Sequence, residues 1–206
     1  MIAIIDYRAG NLTSVKLAFE NLGTAAKITN RPKEILSASR VVFPGDGAAA
    51  SAMDNLRGLG LLPVIHEVYR SGIPFLGICL GTQIILEQSD ENNGVPCVGL
   101  IPGQVRRFIP QNPREKVPHM GWNSVHFKQA HSIFAGIEDE SEFYFIHSYF
   151  PCPRPEDVLG ETEYSGSRFA SVLGHGNMVA TQFHPERSGR IGLQLLKNFS
   201  QWKGSC

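Results

Sequence analysis

In the first half of the chain, short continuous apolar runs alternate with stretches whose apolar positions recur at helical spacing. Ile2–Asp6 is the first run. Leu12, Val15, Phe19 and Leu22 then mark one face of a helix, and Gly23 stands where such a helix stops. Ala25–Thr29 and Val41–Phe43 are further strand-like runs, the second closed by Pro44-Gly45-Asp46-Gly47. Leu62–Tyr69 reads as a helix with Pro63 tolerated in its first turn. Phe75–Ile78 is the next strand, and Thr82–Gln88 lies in the helix after it. This βαβα rhythm predicts an α/β fold built on an open, mostly parallel twisted sheet with flanking helices.

The second half changes character. Between Gly94 and Tyr164, short β-type runs are separated by Pro, Gly and Asn, the clearest being Val105–Phe108, Ser124–Phe127, Phe143–His147 and Leu159–Tyr164. Phe169–Leu173 and Asn177–Thr181 flank Gly174-His175-Gly176, a hairpin-like turn signal. Ile191, Leu195, Phe199 and Trp202 predict a last helix. Gln111–Val117 is polar and reads as a surface loop. A smaller antiparallel portion is therefore expected beside the parallel sheet. At 206 residues the whole chain, 1–206, fits one domain.

Composition narrows the function classes. Charged residues make up 18% of the chain and the formal net charge is 0, so bulk charge suggests neither a nucleic-acid nor a membrane partner. No apolar run approaches membrane-spanning length, and Met1–Asp6 lacks the basic start of a signal peptide. Cys79, Cys97, Cys152 and Cys206 show no CxxC spacing. Neither a disulfide framework nor a metal site is expected, and a cytoplasmic location fits.

Three segments carry candidate chemistry. In Gly77-Ile78-Cys79-Leu80-Gly81, glycines flank a thiol between a strand and a helix, the sulfur counterpart of a nucleophile elbow. A thiol at a helix start lies near N–H groups that favour the thiolate, which is the nucleophile. The plain alternative is a small buried hydrophobe. His184-Pro185-Glu186 follows an apolar strand and offers a general base with a carboxylate to orient it; the alternative is a surface turn. Pro44–Gly47 ends another strand, and its glycines let backbone N–H groups face a ligand. The N–H of Leu80 with that of Asp46 or Gly47 would then form an oxyanion hole; the alternative is an ordinary β-to-α turn.

Together these segments resemble class I glutamine amidotransferases, which carry the nucleophile in a Gly-x-Cys-x-Gly-x-Gln elbow and the other triad members in His-Pro-Glu, in this chain order. Further blocks are similar to the glutaminase branch of imidazole glycerol phosphate synthases: Ile5-Asp6-Tyr7 with Gly10-Asn11-Leu12, Pro118–Asn123, Tyr144-Phe145 with His147-Ser148-Tyr149, and Ser188-Gly189 with Gly192-Leu193. The resemblance runs nearly the full length. It implies a flavodoxin-like fold, no cofactor, and hydrolysis of glutamine to glutamate and ammonia through a glutamyl thioester. It also implies a heterodimer in which ammonia passes to a (β/α)8-barrel synthase subunit that makes imidazole glycerol phosphate and aminoimidazole carboxamide ribotide in histidine biosynthesis. Carried over residue by residue, Cys79 attacks, His184 moves the proton and Glu186 orients it. Gln83, His147, Ser148 and Tyr149 match glutamine-binding positions, with His147 a second-choice base. His119, Met120, Trp122 and Asn123 would face the partner.

Two positions depart from the branch. Asp46 replaces an apolar residue in the oxyanion loop, where it either repels the developing oxyanion or steadies a resting loop. Arg8 stands where the branch usually has Gly. Competing readings are a glutaminase of another pathway (pyridoxal phosphate, anthranilate or guanylate synthesis) and a catalytically silent regulatory protein of the same fold.

Overall fold

The computed structural model describes residues 1–110 and 116–205. Most of the expected Gln111–Val117 loop, and Cys206, lie outside the described residues. The strands in chain order are β1 (Ile2–Ile5), β2 (Ala26–Thr29), β3 (Arg40–Gly45), β4 (Phe75–Cys79), β5 (Gln88–Ser89), β6 (Val95–Pro96), β7 (Gly103–Arg107), β8 (His119–Ser124), β9 (His126–Phe127), β10 (Glu142–His147), β11 (Tyr149–Pro153), β12 (Val158–Tyr164), β13 (Ser167–His175) and β14 (Met178–Thr181). The helices are α1 (Leu12–Asn21), α2 (Pro32–Leu36), α3 (Ala49–Gly58), α4 (Leu62–Arg70), α5 (Leu80–Ile84) and α6 (Gly189–Gln201).

The main sheet has eight strands in the order β2-β1-β3-β4-β14-β13-β12-β9. Pairings from β2 through β14 are parallel, and those beyond it antiparallel. The parallel block has the flavodoxin-like order, whose ligand sites lie outside the carboxyl ends of the strands. Both faces of the block are covered, as its continuously apolar strands require. On one face Ile2, Ile4, Val42 and Leu76 meet Val15 and Phe19 of α1 and Leu195 and Phe199 of α6. On the other, Ala3, Ile5, Val41, Phe43 and Phe75 meet Ile35 of α2, Met53 and Leu56 of α3, and Ile65 and Val68 of α4. Each fully buried Leu or Phe contributes about 1.5–3 kcal/mol to this packing. Two smaller sheets, β10-β8 and β11-β7-β5-β6, rest beside the main one.

Several local expectations need correction. The helix after the elbow ends at Ile84 and does not reach Gln88. The N–H groups of Val98 and Leu100 donate to the Ile84 and Ile85 carbonyls, so a neighbouring segment takes the acceptors a longer helix would use. The hairpin turn is Gly176-Asn177, because His175 pairs with Met178. Gly176 has φ +59°, the positive φ that a tight hairpin turn demands. Gly174 lies within β13. The inner stripe of α6 is Gly192, Leu195, Leu196 and Phe199, while Ile191 is exposed. The single run expected at Ser124–Phe127 divides between β8 and β9. The helices α2 and α3 were not expected from periodicity at all.

Arg8 has φ +63°, a left-handed conformation that costs a non-glycine residue about 1–2 kcal/mol. A glycine there would carry no such strain. The Asp6 carboxylate steadies the bend by accepting the Arg8 N–H at 3.0 Å.

Candidate active site

The register of three parallel strands assembles the site. Gly45 at the end of β3 stands opposite Cys79 at the end of β4, and Ile78 stands opposite Thr181 at the end of β14. The Pro44–Gly47 loop is thus set on one side of Cys79 and the His184–Glu186 turn on the other. All three line one cleft of about 410 Å³ together with Leu80, Gln83 and His147–Tyr149. A cleft of that size suits a small ligand.

Cys79 has φ 54° and ψ −109°. Such a backbone costs a side-chain-bearing residue about 1–3 kcal/mol and is held only by its surroundings. It turns the chain sharply from β4 into α5 and presents the thiol at the cleft floor, where the residue is 6% exposed. The thiol lies 3.9 Å from the Ile146 carbonyl, and Gln182 Nε2 donates toward its sulfur at 3.8 Å.

His184 Nδ1 is 2.8 Å from Glu186 Oε1. The turn carrying both is anchored at the backbone: the His184 N–H donates to the Tyr144 carbonyl at 2.9 Å. Ser188 adds a second tie, donating to the His184 carbonyl at 2.7 Å while accepting the Tyr144 N–H at 3.0 Å. Burial by itself would push the His184 pKa down. The charge of the Cys79 sulfur and then Glu186 push it up harder, and it rises to about 10. Nε2 has no hydrogen-bond partner among the described residues. That leaves the ring nitrogen not used by Glu186 free to work with the sulfur. The arrangement sets a sulfur nucleophile in the same cleft as an imidazole whose pKa is raised and which a carboxylate orients: what nucleophilic attack on an amide followed by protonation of the leaving nitrogen requires.

The geometry favours His184 over His147 as the base. Burial pushes its pKa down to about 3. Both its ring nitrogens are occupied, Nδ1 by the Tyr149 carbonyl at 2.7 Å and Nε2 by His119 Nδ1 at 3.0 Å. Gln83 is buried with its amide donating to the Tyr149 carbonyl at 2.8 Å and to Gln182 Oε1 at 3.0 Å, so it braces the 147–149 segment.

The Asp46 side chain accepts the Gly10 N–H at 2.8 Å, which ties the Pro44–Gly47 loop to the 8–11 bend. Of the two roles open to Asp46, this geometry matches the one that steadies a resting loop. The four residues expected at a partner surface separate by strand alternation. Met120 and Trp122 are 60% and 54% exposed, whereas His119 on the opposite face of β8 is 2% exposed. His119 is therefore a core residue rather than a surface contact, and Asn123 is only half-exposed on the same side. Burial lowers the His119 pKa to about 4.

Gln182, Ser188 and Glu91 were missed as contributors. Gln182 follows directly on β14, two residues before His184, and a polar residue at the end of an apolar run was the available signal. Glu91 lines the cleft while accepting the Ala49 N–H at 2.6 Å; its distance along the chain hid it.

The glutamine amidotransferase class-I family model matches residues 3–201. The chain belongs to that family. Among curated relatives, this class I amidotransferase is 48% identical over 206 residues to "Imidazole glycerol phosphate synthase subunit HisH" of Nitrosococcus oceani, covering 98% of each chain. It is 46% identical over 199 residues to the protein of the same name from Methanocaldococcus jannaschii, covering 97% of this chain and 98% of that one. Its fold matches a crystal structure of a glutamine amidotransferase with TM-score 0.72 at 18% identity, covering 99% of this chain and 100% of that chain. The β1–β4 alternation is thus that of a class I amidotransferase, and the Cys79 elbow and the His184–Glu186 turn both lie within the matched span. The three cysteines among the described residues are free thiols. No helix among them is long and apolar enough to cross a membrane.

The buried imidazoles predict a pH dependence of stability. His119 and His147 have folded pKa values below the unfolded value, so the unfolded chain binds protons that the native state refuses. Stability therefore falls as pH drops below about 6.5, by about 1.4 kcal/mol per group per pH unit until the folded values are reached. His184 has the opposite sign: its contribution is fully present below the unfolded pKa and is lost as pH rises through about 10. It offsets part of the acid loss. Urea unfolding at pH 7.0 and 5.5 should show a net loss of about 2 kcal/mol at the lower pH. Equal or greater stability at pH 5.5 would contradict neutral burial of the pair.

Proposed function

We propose that the chain is the glutamine-hydrolysing subunit of an imidazole glycerol phosphate synthase, acting in histidine biosynthesis with a (β/α)8-barrel synthase subunit. The observation that carries this reading is Cys79 on a strained elbow, electrostatically coupled to a His184 that Glu186 orients. The names of relatives sharing almost half of its residues support the branch.

The Cys79 thiolate attacks the side-chain amide carbon of glutamine. The carbonyl oxygen becomes an oxyanion held by the Leu80 N–H and an N–H of Asp46 or Gly47. The protonated His184 gives its proton to the leaving nitrogen, the C–N bond breaks, and ammonia and a glutamyl thioester result. His184, now neutral, takes a proton from water as the water oxygen attacks the thioester carbonyl. The C–S bond breaks, and glutamate and the thiolate–imidazolium pair are restored. Gln83 and the backbone of His147–Tyr149 form the glutamine wall. Met120 and Trp122 form the partner face, where Trp122 stacks edge-on to Tyr144 with ring centroids 6.1 Å apart and Arg187 lies over the other ring of the pair, Tyr144, at 5.4 Å. An exposed Trp is the kind of anchor that interfaces use.

The Asp46–Gly10 tie supports a loop that rests in a less active arrangement until the partner is loaded. Mixing the purified chain with the barrel subunit, with and without its ribonucleotide substrate, and assaying glutamate tests both parts. Glutamate release should rise when the ribonucleotide is present. Equal rates under both conditions would remove the coupling, and no release above that of a Cys79→Ala variant would remove the glutaminase reading.

A further inference from the structure

The imidazole rings of the buried pair His119–His147 have no place in the mechanism above, yet their hydrogen bonds have a defined direction. Asn123 starts the sequence. Its Oδ1 accepts the Ser124 N–H at 2.9 Å, so its Nδ2 must be the atom facing the Glu163 carbonyl at 3.0 Å and His119 Nε2 at 3.3 Å. An amide NH2 can only donate, so His119 Nε2 accepts and, in a neutral ring, the proton sits on Nδ1. That proton points at His147 Nε2, 3.0 Å away, which must accept. The proton of His147 is then on Nδ1, and it donates to the Tyr149 carbonyl at 2.7 Å. Running the order backwards would set a ring lone pair against that carbonyl oxygen and an N–H against the Asn123 amide hydrogens, so both ends enforce the same direction. Burial keeps both imidazoles neutral at pH 7, which the order requires.

The chain of donors ends at the Tyr149 carbonyl, and a second set of bonds joins that carbonyl to the reaction centre. The Tyr149 carbonyl also accepts from Gln83. Gln83 donates in turn to Gln182 Oε1, which leaves Gln182 Nε2 as the group aimed at the Cys79 sulfur. His119 and His147 are direct cross-strand partners on β8 and β10, and the ring of His119 is sandwiched between Tyr164 and Phe145, with centroids 3.9 and 4.8 Å away.

We propose that His119 is a positioning residue for the glutamine site: by donating its Nδ1–H to His147 it commits His147 to the Nδ1–H tautomer, which with Gln83 clamps the Tyr149 carbonyl. The consequence for substrate rests on the glutaminase reading above, but the tautomer does not. The test is 15N NMR of histidine rings in the full chain, joined to glutamate assays of the chain with its loaded barrel subunit. In the wild-type protein at pH 7, His147 should show a protonated Nδ1 and a hydrogen-bonded, unprotonated Nε2. His119→Phe keeps the aromatic sandwich but removes the donor. Its His147 Nε2 resonance should move away from the hydrogen-bonded position, and KM for glutamine should rise about three- to tenfold with a smaller change in kcat, the loss of one hydrogen bond. His119→Asn places an amide NH2 near the former Nδ1 and should restore both readouts. A wild-type His147 protonated on Nε2 overturns the proposal whether or not either variant folds. So does a His119→Phe variant with KM within twofold of wild type, or a His119→Asn variant that rescues nothing. The predicted tautomers without any glutamate release would instead count against the glutaminase reading.

Discussion

Replacing Cys79 by alanine should abolish glutamine hydrolysis, lowering the rate of glutamate release by about 10⁴-fold or more, as loss of a triad nucleophile does. No other thiol in the described structure is equipped to substitute. Burial raises the pKa of Cys97 to about 11 and that of Cys152 above its ordinary value, and neither has a histidine–carboxylate pair beside it. The His184→Ala change should be nearly as severe, and the double variant should be no worse than either alone, because the two groups act as one unit. The assay is glutamate release by the chain with its loaded partner, with circular dichroism to show that each variant folds. Alkylation gives an independent readout: iodoacetamide at neutral pH should modify Cys79 well before Cys97 or Cys152. A Cys79→Ala rate within tenfold of wild type would sink the assignment of the nucleophile.

The second large effect is on stability. Gly81→Ala should cost about 3 kcal/mol, from overpacking against groups that have no room to move. A Cβ at this position would overlap the Phe43 carbonyl oxygen. That oxygen belongs to the backbone of β3, which is paired in register with Gly77 of β4. A flexible side chain could swing away; a strand in the middle of a sheet is held on both sides. Either α5 must lift from the sheet or β3 must distort, and both displace the Leu80 N–H from Cys79. Thermal unfolding should show a midpoint about 6–12 °C below wild type for a chain of this size. An unchanged midpoint would mean that α5 sits less closely on β3 than described.

The proposed catalytic residues were legible because their chemistry is written in short segments. Cys79 lies between Gly77 and Gly81, and His184 is two residues from its orienting carboxylate, so each motif carries its own local geometry. The alternating first half likewise announced the parallel block, since strands covered on both faces must be apolar throughout. What was misread depended on partners elsewhere in the chain. The α5 helix stops at Ile84 because residues 98–101 take its carbonyls. The α3 helix is made of small and polar residues, with Ala49, Ala52, Met53 and Leu56 as its whole buried face, and gave little periodicity to read. His119 and Asn123 were grouped with Met120 and Trp122 because they are contiguous, but in a strand adjacent residues point to opposite faces.

From its sequence alone, then, this chain declares an elbow cysteine, a histidine with a carboxylate two residues on, and the α/β framework that presents them, because backbone turns and side-chain types are properties of a few neighbouring residues. Tertiary structure decides the rest. It is the pairing of β3, β4 and β14 that sets Gly45 and the His184 turn on either side of Cys79. It is burial against Phe145, Tyr164 and each other that keeps His119 and His147 neutral, and the 8–11 bend that captures the Asp46 carboxylate. Protonation states and side-chain directions depend on the solvent excluded and the partners met through space, and neither exists until distant segments pack together.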